Sequence, residues 1–466
     1  MNTEPRTSQW DVIVVGGGVA GTTAAISAAR NGASTLLIEK DACLGGTLTT
    51  CLVGPMMTFH SATEQVIRGL PQEIVDRLIE LGASPGHILD TSGYVATVTP
   101  FDAETLKLVA ERMVREAGAE ILYHTLLTAA TVAGPSSRGG AGRTLTATHR
   151  GTITELHAKV VIDATGDADV AARAGAPSDL GRPEDGLVQP VSLMFRVTGW
   201  DKESFTTYAI AHPDVLRLSR HGAEPYKTQP LIAVAGFSDV LREEMAAGHL
   251  GDLQREHVLF FNTHRPDEVT VNMSRVTAVN PLDAHSLTEA EVRAREQVFA
   301  IMDFLRRRIP GFRHARIAAV GSRVGVRESR RIIGDVVLTG DDIRRGRSWP
   351  DVIARSAYPI DIHAPTGRKD EALDEYGDDF VSQGTTYQIP YRALLPRDTE
   401  HLLVAGRCIS TTAEAHGATR VSPTCMATGQ AAGTAAALAV HAGVTPRRID
   451  IKDLQHTLRH QGADLG

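Results

Sequence analysis

The run Trp10-Asp11-Val12-Ile13-Val14-Val15 leads without a break into Gly16-Gly17-Gly18-Val19-Ala20-Gly21, an apolar strand ending in G-x-G-x-x-G. Each glycine in that spacing has its own physical task. Gly16 permits the tight turn out of the strand, Gly18 lets the backbone approach a pyrophosphate, and Gly21 lets the next helix lie close on the strand. The first N–H groups of that helix lack intrahelical acceptors and face the anion, with Val19 and Ala20 in the first turn. Thr35-Leu36-Leu37-Ile38 reads as a second strand. It delivers Glu39, followed by Lys40, about 20 residues past the glycines, where a carboxylate takes the hydroxyls of an adenosine ribose. The pattern predicts a dinucleotide site on a βαβ unit.

Further motifs extend the reading along the chain. Cys43-Leu44-Gly45-Gly46-Thr47 is a second glycine pair soon after the ribose acid. Val160-Val161-Ile162-Asp163 is a strand ending in Ala164-Thr165-Gly166-Asp167. Leu402-Leu403-Val404-Ala405 is another, ending in Gly406-Arg407, and Gly429-Gln430-Ala431-Ala432-Gly433 opens a helix of small residues. In this order the elements resemble the FAD-dependent oxidoreductase superfamily, which includes the flavoprotein subunits of fumarate reductase and succinate dehydrogenase. The resemblance runs from roughly residue 10 to 445. It implies FAD as cofactor, with the AMP half on the N-terminal motif and the flavin ring near the C-terminal helix. It also implies cofactor contacts at Gly16, Gly18, Val19, Ala20, Gly21, Glu39, Lys40, Gly45, Gly46, Thr47, Leu127, Ala164, Thr165, Gly166, Gly406, Arg407, Gly429, Gln430 and Ala431. Respiratory members attach the flavin through a His soon after the ribose acid; Asp41 to Leu48 contains none, so FAD is expected without a covalent bond.

Composition narrows the partners. At 466 residues more than one domain is expected. Hydrophobic content of 42% and charged content of 22% match a globular protein with a sizeable core. A net charge of -7 disfavours nucleic acid and anionic membrane surfaces. No run has the length of a transmembrane helix, and Met1 to Gln9 reads as a polar tail rather than a secretion signal. Four cysteines without a C-x-x-C give no zinc or iron–sulfur signal and point to a reducing cytoplasm. His456 and His460, spaced for one helix face, read as a solvated surface, and no metal is expected. The expected partners are a small-molecule substrate, an unidentified electron donor or acceptor and, as an option, a second copy of the chain.

The predicted fold is α/β: a Rossmann-like FAD-binding domain of the glutathione-reductase type, with an inserted α+β substrate domain built on an antiparallel sheet. The FAD domain is expected in two segments, 1–185 and 386–445, around a substrate domain at 186–385, with a helical tail at 446–466. In the first segment the predicted helices run from Gly18 to Gly32 and from an N-cap at Thr99 to Gly118. Strands are read at Glu120–Ala130 and Thr144–Thr148 around a loop at Pro135–Gly142. In the insert, strands are read at Ser192–Thr198, Leu231–Phe237, His257–Asn262 and Glu268–Met273. A long helix follows, capped by Ser286 and ended by Pro310-Gly311.

Chemistry is expected near Glu414-Ala415-His416-Gly417-Ala418-Thr419-Arg420. This looks like the His-Gly-Ala-Asn-Arg segment of fumarate reductases, whose Arg clamps a substrate carboxylate over the flavin; Arg420 matches it. Guanidinium is a planar donor fork, always charged at neutral pH, and suits a carboxylate or enolate. The helix starting near Gly429 would add its N-terminal dipole at the flavin. The alternative for Arg420 is an ion pair with the flavin or with an acid between domains. His416 and His60 are acid–base candidates, each equally readable as a structural histidine, and Tyr391 and Tyr387 are further ones. Arg323 and Arg327 could enter the site, although Arg-rich Val320–Arg331 with Glu328 reads better as a structural ion-pair network. The second carboxylate-binding segment of fumarate reductases is missing, so a fumarate-like dicarboxylate gets no support from the motifs. A lone Cys51 after Gly46-Thr47 argues against a disulfide reductase. Gly406-Arg407-Cys408-Ile409-Ser410 departs from the Gly-Asp-Ala-Ala-His of aromatic monooxygenases. The expected activity is hydride transfer between flavin N5 and a small organic substrate, next to a carbonyl or carboxylate or across a C=C bond. The alternatives are a flavin-dependent monooxygenase or oxidase, and a non-catalytic FAD-binding partner protein.

Overall fold

A computed structural model describes residues 9–132, 143–219, 221–367 and 384–466; the Pro135–Gly142 loop lies outside them. The apolar N-terminal run forms a strand, Gln9–Val15, buried on both faces from Val12 onward. Thr35–Ile38 and Glu120–Leu122 flank it on one side, and the end of the long strand Thr152–Asp163 lies on the other. Leu402–Val404 adds the last parallel strand beside Thr152–Asp163. All five run parallel, as expected for near-continuous apolar strands covered on both faces. The sheet continues as an antiparallel meander through Arg143–His149 and Leu126–Thr131.

The helix Val19–Arg30 packs on this sheet and against Ser422–Ala442. Small residues make the second contact possible. A side chain at Gly429 would collide with the Ala20 carbonyl, and one at Gly433 with the Ala24 carbonyl. At that approach Thr23 Oγ1 donates to the Met426 carbonyl at 2.8 Å, and Ser27 and Thr434 hydroxyls meet at 2.8 Å.

A second sheet of six antiparallel strands comes from the middle of the chain. Its order is Leu216–Arg217, Ala233–Gly236, Val258–Asn262, Glu268–Val271, Phe195–Thr198, Arg316–Val320. Alternation assigns its faces. Val258 and Phe260 join a core with Phe195, Val269, Phe312 and the helix Ala284–Arg308, while Leu259 and Phe261 face the opposite way.

Several boundaries differ from the sequence expectation. The helix expected from Thr99 is capped by Asp102, whose carboxylate accepts from Thr105 N at 2.7 Å, and spans Ala103–Glu116. The long helix is capped by Asp283 rather than Ser286, which sits in the first turn and donates its N–H to that cap. In both cases an Asp three residues away offers the stronger acceptor. Residues 332–360, placed in the insert by the boundary at 386, pack into the first core through Ile332, Ile343, Val352 and Ile353. The helix expected near Gly429 begins at Ser422, with Pro423 in its first turn.

The close helix pair yields a test. Gly433→Ala should destabilise the protein by about 1–3 kcal/mol, the range for overpacking a filled interface, read from urea unfolding. An unchanged midpoint would show that the helices can separate at no cost.

Candidate functional site

The loops that leave the parallel strands at their C-terminal ends converge on a cavity of about 760 Å³. That is where open α/β sheets bind ligands. Gly16, Gly18, Val19, Ala20, Glu39, Lys40, Gly46, Thr47, Leu127, Ala164, Thr165, Gly166, Gly406 and Arg407 all line it. Gly18 has extended φ and ψ of -62° and 178°, and an added side chain there would meet nothing, so it would project into the space an anion needs. Gly16 is held at φ 99°, and a Cβ on it would come within 2.6 Å of the Ala164 carbonyl. Glu39 accepts from Gly17 N at 2.5 Å and from Asp41 N at 2.8 Å, which clamps both turns. Its carboxylate keeps lone pairs for ribose hydroxyls. The two glycine turns clasp each other through Gly45 N donating to Gly17 O at 2.9 Å. On the far side Arg407 pairs with Asp167 at 2.6 Å. Open space at Gly18, the first turn of Val19–Arg30 and the Glu39 carboxylate fit a dinucleotide such as FAD.

Five residues expected to touch the cofactor stand behind the wall instead. Gly21 and Gly45 shape the turns: a side chain on Gly21 would collide with the Gly16 carbonyl, and one on Gly45 with Thr49. Gly429, Gln430 and Ala431 lie in the third turn of Ser422–Ala442; Gln430 accepts from Leu70 N at 3.1 Å, and Ala431 is fully buried. The first turn of that helix reaches the cavity in their place, through Val421, Ser422 and Cys425.

The other end of the cavity is walled by the second sheet and by the segment around Asp361. Arg420 arrives at the end of the helix Ala413–Thr419 and pairs with Asp361 Oδ2 at 3.0 Å, while its Nε is buried without a partner among the described residues. Tyr358 Oη also donates to Asp361 Oδ2, at 3.1 Å. His363 Nε2 lies 3.5 Å from Asp361 Oδ1, and His363 Nδ1 accepts from Arg275 at 3.2 Å. Burial opposes the charge on Asp361, but His363, Arg420 and Arg327 outweigh it and hold the carboxyl far below its usual range. Burial takes the His363 imidazole down to about 3 despite that carboxylate, so it is neutral at pH 7. Burial, aided by Arg255, takes His257 to about 3 as well.

The Arg-rich Val320–Arg331 stretch separates into two roles. Arg331 and Glu328 form a buried pair, and Arg330 pairs with Asp169 at 2.7 Å, as a structural network would. Arg327 faces the cavity and donates to Pro190 O at 2.7 Å and Ser192 Oγ at 2.8 Å, with no carboxylate partner among the described residues. Arg323 also lines the cavity, paired with Asp41 at 3.2 Å.

Four expected acid–base residues do not reach the cavity wall, among them Tyr387, which is buried and donates to Ala418 O at 2.9 Å. His416 is fully buried, and its Nε2 donates to the Arg327 carbonyl at 3.1 Å, which braces Arg327. Tyr391 is buried in the first core and donates to Pro446 O at 2.9 Å. His60 turns toward His87, ring centroids 4.8 Å apart, with Nδ1 3.1 Å from Thr97 Oγ1; Pro55 and Met57 of its segment line the cavity instead. Conversely, Asp361, His363, Tyr358, Arg255 and Arg275 carry no sequence signal of their own. Tyr358, Asp361 and His363 share one short stretch without a recognisable motif, and only the fold brings Arg255 and Arg275 to them.

The neutral, half-buried histidines set a pH dependence. His87, His257 and His363 have folded values of about 4, 3 and 3 against 6.5 unfolded. Between those limits the unfolded chain binds more protons, so stability is full above about pH 6.5 and falls as the pH drops. Each contributes up to about 1.4 kcal/mol per pH unit. Urea unfolding of the substrate-free protein from pH 7.5 to 4.5 should show this decline; a flat profile would mean the histidines are charged in the fold.

Solved structures similar to the chain include a geranylgeranyl bacteriochlorophyll reductase-like protein from Thermoplasma acidophilum. It is 13% identical over 97% of this chain and 84% of the other, with a TM-score of 0.45. The p-nitrophenol 4-monooxygenase PnpA from Pseudomonas putida DLL-E4 is 11% identical over 95% and 83%, with a TM-score of 0.46. The flavin-dependent brominase Bmp2 is 13% identical over 97% and 83%, with a TM-score of 0.46. No curated protein sequence matches the chain. No helix among the described residues is long and apolar enough to cross a membrane. The sequence profile of one family matches residues 11–458, and the chain therefore belongs to the FAD dependent oxidoreductase family.

Proposed function

We propose that this FAD-dependent oxidoreductase exchanges a hydride with a small organic substrate, at a C–H bond next to a carbonyl or carboxylate or across a C=C bond. The observation that carries this reading is Arg420, fixed by Asp361 on the wall of the same cavity that the dinucleotide loops line. Bound FAD supplies the two-electron chemistry at N5. Gly18, Glu39 and the first turn of Val19–Arg30 hold its pyrophosphate and ribose. Arg420 keeps one guanidinium nitrogen on Asp361 and has Nε free to donate to a substrate oxygen on which negative charge grows. Such a donor is worth most where it is pre-aimed and shielded from water. Tyr358 holds its proton, because burial pushes its hydroxyl well above the usual range, and spends it on Asp361. The N-terminus of Ser422–Ala442 adds positive potential beside Arg420.

Three measurements test the reading. Gly18→Val should fold, since φ there is ordinary, yet yield colourless protein. Glu39→Ala should weaken FAD by about 1–3 kcal/mol, the value of a charged hydrogen bond. Wild-type flavin content in both variants would refute the cofactor placement. Acid precipitation should leave the yellow colour in the supernatant, as expected for FAD held without a covalent bond; colour in the pellet would point to an attachment. Arg420→Lys keeps the charge but loses the fork. It should retain FAD and slow the anaerobic reductive half-reaction, per bound flavin, by about 100-fold. An unchanged rate ends the substrate role of Arg420. Flavin that bleaches only with an external reductant, accompanied by oxygen uptake, would assign a monooxygenase or oxidase instead. No turnover with any donor would indicate a binding protein.

A further inference from the structure

The second sheet carries an imbalance of charge that the hydride reading does not use. Arg255 lies just before the strand Val258–Asn262 and Arg275 just after Glu268–Val271, so both sit at the same end of two paired central strands and line the cavity. Arg255 is 5% exposed. One of its nitrogens donates to the Asn272 carbonyl at 3.0 Å, but Nε and Nη1 are buried with no partner among the described residues. The Oδ1 of Asn272 is likewise buried and unpaired. The carboxylates nearest this cluster are already committed, Glu256 to Arg275 at 2.6 Å and Asp361 to Arg420 at 3.0 Å. Arg327 has only neutral acceptors. Buried Arg255 and half-buried Arg327 therefore face the cavity without a salt-bridge partner of their own among the described residues. A buried charge without a partner costs several kcal/mol, and the cost is removed when an anion takes its place beside it.

We infer that Arg255 and Arg327, flanked by Arg275, bind a dianionic end of the substrate, with Arg420 at the reacting end. This rests on the hydride-transfer reading for the role of the molecule, but not for its binding. The shared chemistry is a pair of oxyanions, from two carboxylates or from one phosphate monoester. Arg255 suits either, because Nε and Nη1 each keep an unused N–H that can be donated to a separate oxyanion oxygen. The fumarate-type second carboxylate segment, missing from the sequence, is replaced here by cations from a different sheet.

The test uses the oxidised FAD-loaded protein without turnover. Malonate, glutarate and inorganic phosphate are titrated at constant ionic strength, with glutaramide as the neutral control, while flavin absorbance and thermal midpoint are followed. At least one dianion should perturb the flavin saturably and raise the midpoint, and glutaramide should do neither. A response to the dicarboxylates assigns a polycarboxylate, and a response to phosphate alone assigns a phosphate ester. Arg255→Met should weaken that binding at least tenfold. Because it removes an unpaired buried charge, it should also raise the midpoint of the anion-free protein by about 2–4 °C. No saturable response to any dianion, or a response undiminished in Arg255→Met, overturns the inference. So does a variant that loses flavin or melts lower, since Arg255 would then be a structural residue. Bleaching experiments report on hydride transfer separately, so either reading can fall while the other stands.

Discussion

The fold depends on one close contact, between the helix that follows the first strand and the helix Ser422–Ala442. About four hundred residues of chain separate the partners, yet Gly429 and Gly433 let them pack against the Ala20 and Ala24 carbonyls. Because the two helices approach so closely, both N-termini open on the same cavity. The first holds the anion-binding turn and the second follows directly on Arg420. The proposed reaction needs the glycine turn and Arg420 on one cavity, and small side chains buried between helices are what join them. Burial of apolar area supplies the driving force, and shape complementarity decides the distance.

The segment Glu414–Arg420 organises the opposite wall through three different kinds of interaction. Glu414 anchors its start by an ion pair with Arg344. His416 donates to the Arg327 carbonyl, so a histidine that looks catalytic in the sequence instead fixes the backbone of a cavity arginine. Gly417 has no side chain because one would come within 2.8 Å of the Asp361 carbonyl. Asp361 can then reach Arg420, Tyr358 and His363 together. A carboxylate shared among so many donors is held rigidly, and Arg420 with it. A pre-aimed donor costs no reorganisation at the moment of reaction.

The second sheet divides its labour by the two-residue alternation of a strand. Val258 and Phe260 build a core with the helix Ala284–Arg308, and Leu259 and Phe261 between them face the cavity. The charged residues Arg255 and Arg275 sit just beyond the strand ends, where an aromatic-rich interior gives way to the site. An apolar face beside the unpaired Arg255 suits an organic acid better than an inorganic ion, since the carbon skeleton and the anionic end each find their own surface.

By itself the sequence determined the dinucleotide half of the cavity. Strand, glycine spacing, helix and ribose acid all fall within some thirty residues, so their geometry follows from local backbone rules. Gly16, Gly18 and Glu39 accordingly stand where the spacing puts them. Element boundaries were less legible where two caps competed, as with Asp102 against Thr99 and Asp283 against Ser286, because the stronger acceptor wins only once the turn has formed. The other half was decided by tertiary structure alone. Whether a given arginine is a structural pair, as Arg331 is, or an uncompensated cation, as Arg255 is, depends on which carboxylates the fold brings within a few ångströms. Charge balance is a property of neighbours in space, and the neighbours of Arg255, Arg327 and Arg420 come from strands and loops scattered between residues 190 and 363. Periodicity carries no information about that.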